Sequence, residues 1–156
     1  MRHKFAGTGL ALVVSAGILV SIAINAYADD EGKCTVARAA GKWSLTDQGT
    51  VIGIGPRTAV GVFTLDGSGN VLNGVAASSL NGSIASETYS GTYTVNPDCS
   101  GSLDVKIYSG STELFEVKTF TAFDNDIREM RAVFTSVVPP NGPPLPTVIN
   151  FEARRQ

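Results

Sequence analysis

Residues 102–123 read SLDVKIYSGSTELFEVKTFTAF, and their reading decides the fold. Leu103, Val105 and Ile107 alternate with Asp104 and Lys106, the period-two pattern of a strand with one buried face. Ser109-Gly110-Ser111 supplies a short turn. The pattern then resumes over 112–123, with Phe115 and Val117 on one face and Glu116 and Lys118 on the other. Two alternating runs joined by a Gly-centred turn predict an antiparallel hairpin.

The same grammar extends in both directions. Downstream, Asp124-Asn125-Asp126 turns into 127–137, where Arg128, Met130, Ala132 and Phe134 oppose Glu129, Arg131 and Val133. The stretch 139–146, PPNGPPLP, lacks the backbone donors of a strand and reads as a stiff, polyproline-like loop. Residues 147–154 close the pattern with Ile149, Phe151 and Ala153 on one face. Upstream, residues 83–95 form a Ser/Thr/Tyr-rich strand with Gly91 as a bulge or corner, ended by the turn Asn96-Pro97-Asp98-Cys99-Ser100-Gly101. Residues 58–65 and 70–77 flank the loop Asp66-Gly67-Ser68-Gly69-Asn70. Residues 41–46 begin the domain, and 48–54 continue or pair with them until Gly55-Pro56 interrupts. No stretch after residue 30 carries helical periodicity. The sum is an all-β domain of about eight strands. Its short connections favour an up-and-down antiparallel barrel, with a two-sheet sandwich as the alternative.

The first 28 residues differ in kind. Arg2, His3 and Lys4 precede an apolar run from Phe5 to Ile24, and Ala26-Tyr27-Ala28 is a small-x-small cleavage pattern followed by Asp29-Asp30-Glu31. This predicts a signal peptide over 1–28 and an exported, periplasmic or extracellular domain over 29–156. An uncleaved anchor is the competing reading, since the run approaches the ~20 residues that span a bilayer; Gly9 and Gly17 weaken it. No cysteine follows in lipobox fashion, so no membrane anchor is expected after cleavage.

Cleavage changes the chemistry available. The whole chain has 156 residues, one histidine and net charge −2. Without residues 1–28, the twelve basic residues lose Arg2 and Lys4, leaving ten against fourteen acidic, net −4, and His3 is gone. A chain without histidine builds no Ser-His-Asp or Cys-His system and no HExxH zinc site. Acidity argues against nucleic acid as a partner. No catalytic, cofactor-binding or metal motif stands out. Cys34 and Cys99 are an even pair in an oxidising compartment, which predicts a disulfide closing a loop of about 65 residues; a redox or metal-binding thiol is the alternative.

The segments Gly41-Lys42-Trp43-Ser44, Asp66-Gly67-Ser68-Gly69-Asn70, GTYTVNPDC over 91–99 and REMRAVFT over 128–135 together resemble a group of small exported bacterial β-proteins. These are turn and core motifs, so the resemblance implies a fold and a compartment without naming an activity. The layout is more loosely similar to calycin-type and allene-oxide-cyclase-like barrels, which implies an interior able to hold apolar ligands.

Several constellations compete for function. Glu116/Lys118, Glu129/Arg131 and Glu152/Arg154 sit at i, i+2 spacing on successive strands. Facing inward they would form a buried acid–base site; facing outward, a solvated ladder of ion pairs, which the apolar opposite faces favour. Asp66, Ser68 and Asn70 have the opening spacing of an EF-hand, but Val71 and Ala77 stand where Gly and a carboxylate are required, so a hairpin loop is expected. Asn81-Gly82-Ser83 matches a glycosylation sequon. Carboxylate-pair glycoside hydrolysis needs no histidine, though no pair is singled out. The aromatics, including Tyr89, Phe120 and Phe123, are either packed core or the wall of a cavity. The candidate lining of a ligand site is Trp43, Phe63, Tyr93, Phe115, Met130, Phe134 and Phe151. The function expected is non-catalytic binding of a small apolar or amphipathic molecule inside the barrel. A structural or cell-surface component is the alternative, and a cofactor-free isomerase or cyclase the third.

Overall fold

The computed structural model describes residues 34–156; the leader expected over 1–28 lies outside the described residues. A four-residue helix α1 (Val36–Ala39) precedes eight strands: β1 (Gly41–Val51), β2 (Gly55–Leu65), β3 (Asn70–Leu80), β4 (Ser83–Val95), β5 (Ser100–Ser109), β6 (Thr112–Phe123), β7 (Glu129–Val138) and β8 (Thr147–Arg155). Each pairs antiparallel with its neighbours in sequence, and β8 returns to β1, closing an up-and-down barrel without a free edge. Gly55-Pro56 does not interrupt a strand, as the sequence suggested; both belong to β2. Pro56 lies at the rim, opposite Thr50 of β1 and before the pairing with β3 begins at Arg57, so its missing N–H breaks no ladder bond.

The connections sort onto two ends. One end carries α1, the turns 66–69, 96–99 and 124–128, and the end of β8; the other carries 52–54, 81–82, 110–111 and the proline-rich 139–146. The first end is capped. Trp43, Leu65, Val71, Ile127 and Met130 are fully buried there, and Trp43 lies parallel to Phe63 (centroids 6.5 Å apart) and edge-on to Phe123 (6.3 Å). Burial of this size stabilises by roughly 1.5–3 kcal/mol per large side chain. The polar tips are satisfied: Trp43 Nε1 donates to the Ala39 carbonyl at 3.0 Å, and the Tyr93 hydroxyl shares its proton between the Val36 (2.8 Å) and Asp66 (2.6 Å) carbonyls. Thr35 caps α1 by accepting from Arg38 N, and Arg155 donates to the Arg38 and Ala40 carbonyls. The Cys34–Cys99 disulfide fastens this lid to the β4–β5 turn.

Three turns at the capped end are organised by one aspartate each. Asp66 Oδ1 accepts from the Ser68 and Asn70 amides, Asp98 Oδ1 from the Ser100 amide, and Asp124 Oδ1 from the Arg128 and Glu129 amides. The hydrogen bonds from the Asn70 side chain and backbone hold Asp66 below the usual carboxylate range. The EF-hand-like spacing is thus a hairpin device. Asp124 also holds a turn in which buried Ile127 takes φ +52°, a rare conformation for a β-branched residue.

The charge ladder faces solvent. Lys118 pairs with Asp104 (3.2 Å) and Glu116 (3.4 Å), Arg154 with Glu129 (3.3 Å), and Arg131 with Glu129 and Glu152 near 4 Å, all substantially exposed. Phe120 is on the exterior too, more than half exposed, because it sits out of phase with Val117, Thr119 and Thr121.

Candidate functional site

The other half of the interior holds three charges. On β1 the inward positions run Trp43, Leu45, Asp47 and Val51; on β2, Arg57, Ala59, Phe63 and Leu65; on β4, Glu87, Tyr89 and Tyr93. Period-two alternation therefore puts Asp47, Arg57 and Glu87 among core residues, and all three are buried. Arg57 Nη1 and Nη2 donate to Glu87 Oε1 (3.0 Å) and Oε2 (2.9 Å) in a bidentate pair. Its Nε and Nη2 both donate to one oxygen of Asp47, Oδ2, at 3.3 and 3.2 Å. Ser78 on β3 donates to Glu87 Oε1 at 2.7 Å. The second Asp47 oxygen, Oδ1, is buried with no hydrogen-bond partner.

With both carboxylates ionised, two carboxylates and one guanidinium leave the cluster one negative charge in excess. Burial, the largest influence, pushes the Asp47 carboxyl above its ordinary range, and the charge of Glu87 adds to it; Arg57 pulls the other way. The Ala59 amide, opposite Asp47 in the β1–β2 ladder, also favours the ionised form but makes no hydrogen bond to Oδ1. For Arg57 burial opposes the charge, yet the hydrogen bonds and charges of Glu87 and Asp47 outweigh it. Burial raises Tyr89 above the usual phenol range, and the charges of Asp47 and Glu87 raise it further, so it remains a neutral donor.

Beside the cluster lies a cavity of about 60 Å³. Ala59 and Ala76 form its thin wall, and Leu103, Phe134 and Phe151 its thick one. Small residues on β2 and β3 create the space. On the same two strands a Cβ on Gly61 would lie 2.5 Å from the Val75 carbonyl oxygen, and one on Gly74 would run into the Tyr89 ring. Registers shift here, between Val62 and Thr64 on β2 and between Val71 and Gly74 on β3, with Asn73 at φ +53°. Tyr89 fills the irregularity: it is partly buried, its ring lies 6.1 Å from Phe63, and its hydroxyl donates to the Val62 carbonyl at 3.2 Å. Asp47, Arg57, Glu87 and Thr119 supply the polar groups of a lining that is otherwise apolar.

Of the residues expected to line a ligand site, Phe63, Phe134 and Phe151 stand in the wall of this cavity, the last two meeting edge-on at 6.3 Å. Trp43, Tyr93 and Met130 instead belong to the capped-end packing. Phe115 lies beyond Arg57, against a separate space of about 10 Å³ with Val51, Leu80 and Ile149. Sequence reasoning did not single out Asp47, Arg57 or Glu87, and it named Tyr89 only among the aromatics that are either packed core or cavity wall. A signal existed: extending the phase of Trp43 and Leu45 by one step lands on Asp47, and stepping back from Ala59 lands on Arg57.

No family model and no curated protein sequence matches this chain. Among solved structures, one described as "Structure of EF1p2_mFAP2b bound to DFHBI" is similar over 76% of this chain and 94% of its own, at TM-score 0.50 and 14% identity. At that identity the likeness speaks for the closed barrel fold.

Proposed function

We propose that this protein is a binding barrel, holding a small amphipathic molecule in the interior cavity without transforming it. One observation carries the reading: an apolar cavity ends on a buried charged cluster in which Asp47 Oδ1 lacks a partner. Buried polar atoms are nearly always satisfied in folded proteins, and an unpartnered one on a residue that lines a cavity is a place for a ligand donor or water. The solved barrel described as bound to DFHBI supports the reading by analogy. The cavity size limits the occupant. About 60 Å³ corresponds to roughly four waters or a ligand of three to four heavy atoms. Such a ligand binds no more tightly than a Kd on the order of 0.1 mM. A tighter occupant extends further, and Tyr89, partly exposed beside the β2–β3 irregularity, is the side chain placed to yield. Export to an oxidising compartment belongs to the same proposal, with the Cys34–Cys99 disulfide in its favour.

The test is ligand-observed NMR with ethanol on the disulfide-intact protein and on Ala59→Leu, which fills the cavity from its thin wall. Saturable binding to the parent and none to the variant is expected. Equal response of the two proteins removes the reading.

A further inference from the structure

The reading above, on which this inference rests, leaves the chemical class of the ligand open; the cluster narrows it. The side-chain donors to the two carboxylates are Arg57 and Ser78, and together these occupy Asp47 Oδ2, Glu87 Oε1 and Glu87 Oε2; the one backbone donor beside Asp47 is the Ala59 amide, which makes no hydrogen bond to Oδ1. The oxygen left over, Asp47 Oδ1, is a buried acceptor without a hydrogen-bond partner on a residue that lines the cavity, in a cluster of two carboxylates and one guanidinium that carries one uncompensated negative charge when both carboxylates are ionised. An uncompensated charge in an apolar interior is among the costliest arrangements in a folded protein. A ligand that supplies one positive charge and a hydrogen-bond donor removes both defects together. A neutral alcohol removes only the second. An anion would meet Arg57 already held by two carboxylates.

We propose that the cavity is a site for a small alkylamine in its ammonium form, with its N–H donating to Asp47 Oδ1 and its alkyl group against Leu45, Phe63 and Phe151. A metal cation fits the site less well: among the described residues no group of three His, Cys, Asp or Glu side chains is gathered, and Arg57 stands between Asp47 and Glu87. The volume admits a two- or three-carbon amine. Binding is coupled to pH because a proton on Asp47 and the ammonium compete for the same carboxylate. The groups facing Asp47 are Arg57 from β2 and Glu87 and Tyr89 from β4; its ladder partners Ala59 and Phe151 are uncharged. Burial raises the Asp47 carboxyl, so the competition falls at a higher pH than for an ordinary aspartate.

The experiment compares ethylammonium, ethanol and acetate by protein-observed NMR titration between pH 4 and pH 8, on the parent and on Asp47→Asn. Expected is at least about tenfold tighter binding of ethylammonium than of ethanol at pH 8. That advantage shrinks as Asp47 protonates, ethanol affinity stays flat, and Asp47→Asn abolishes the advantage while ethanol still binds. If Asp47→Asn does not fold, the pH series on the parent carries the same distinction. Ethanol and ethylammonium binding equally, ammonium affinity that ignores pH, or acetate binding best overturns the amine assignment and leaves the binding barrel standing. Saturation by none of the three overturns both.

Discussion

The two halves of the barrel interior solve the same packing problem differently. At the capped end, Trp43, Phe63, Phe123, Met130 and Ile127 fill the space, and each polar tip described there, on Trp43 and Tyr93, has a partner. A lid, a disulfide and three aspartate-organised turns hold that end together. Toward the other end the same alternation places Asp47, Arg57 and Glu87 inward, leaves Asp47 Oδ1 without a hydrogen-bond partner, and lines one wall of the cavity with alanine. Both regions share one sheet and one register logic. The difference is local sequence consistency, which holds at the first and is broken at the second. Such breaks are where proteins keep function at some expense of stability.

The comparison breaks most visibly under large substitutions. Trp43→Ala is expected to cost about 3–5 kcal/mol in urea unfolding, with no single second substitution restoring it. Arg57→Met should cost a similar amount, about 3–5 kcal/mol, because it strands two buried carboxylates. The charged cluster differs in being replaceable as a unit. Asp47→Leu, Arg57→Met and Glu87→Leu together should bring stability back to the parent value or about 1–4 kcal/mol above it, while ethanol binding to the cavity changes and ammonium selectivity vanishes. If the triple replacement is as unstable as Arg57→Met, the cluster is a structural element and the contrast between the halves fails.

Removing the disulfide with Cys34→Ser and Cys99→Ser should cost about 4 kcal/mol in the chain-entropy picture for a separation of 65 residues, and leave cavity binding unchanged in the folded fraction. A smaller effect follows from Asp47. Its folded carboxyl is raised, so its favourable contribution is complete below the ordinary carboxylate pKa near ~4 and is lost as pH rises through the folded value. The stability of Asp47→Asn relative to the parent should therefore improve between pH 4 and pH 7. Asp66 works in the opposite sense: its lowered carboxyl stabilises above the ordinary range and loses that contribution on acidification. Smallest of all, Glu129→Gln on the exterior ladder should stay within about 0.5 kcal/mol of the parent and leave binding intact.

The fold was legible because one face of most strands is apolar and the turns carry explicit chemistry. The expected limits of β6, 112–123, coincide with the structure, and the proline-rich 139–146 is the loop its missing donors required. Strand ends were less legible: β3 runs on through Ser78 to Leu80, whose polar Ser78-Ser79 pair reads as a loop until Glu87 is seen to receive Ser78. The site was the hardest part. Phe63, Phe134 and Phe151 follow from inward phase, but phase alone does not tell a residue beside a cavity from one in a packed plug, which is why Trp43, Tyr93 and Met130 joined the same group. Asp47, Arg57 and Glu87 are separated by ten and thirty residues. Only the closed register makes them neighbours, and each alone looks like a surface charge.

A binding barrel requires that molecules enter this cavity. The direct measurement is methyl-resolved NMR of the disulfide-intact protein during an ethanol titration. Saturable shifts are predicted at Leu45, Leu103 and Val105, which line the cavity, with Leu65, Val71 and Ile127 of the capped end unmoved. Shifts absent at the first three, or equal at both sets, would contradict it.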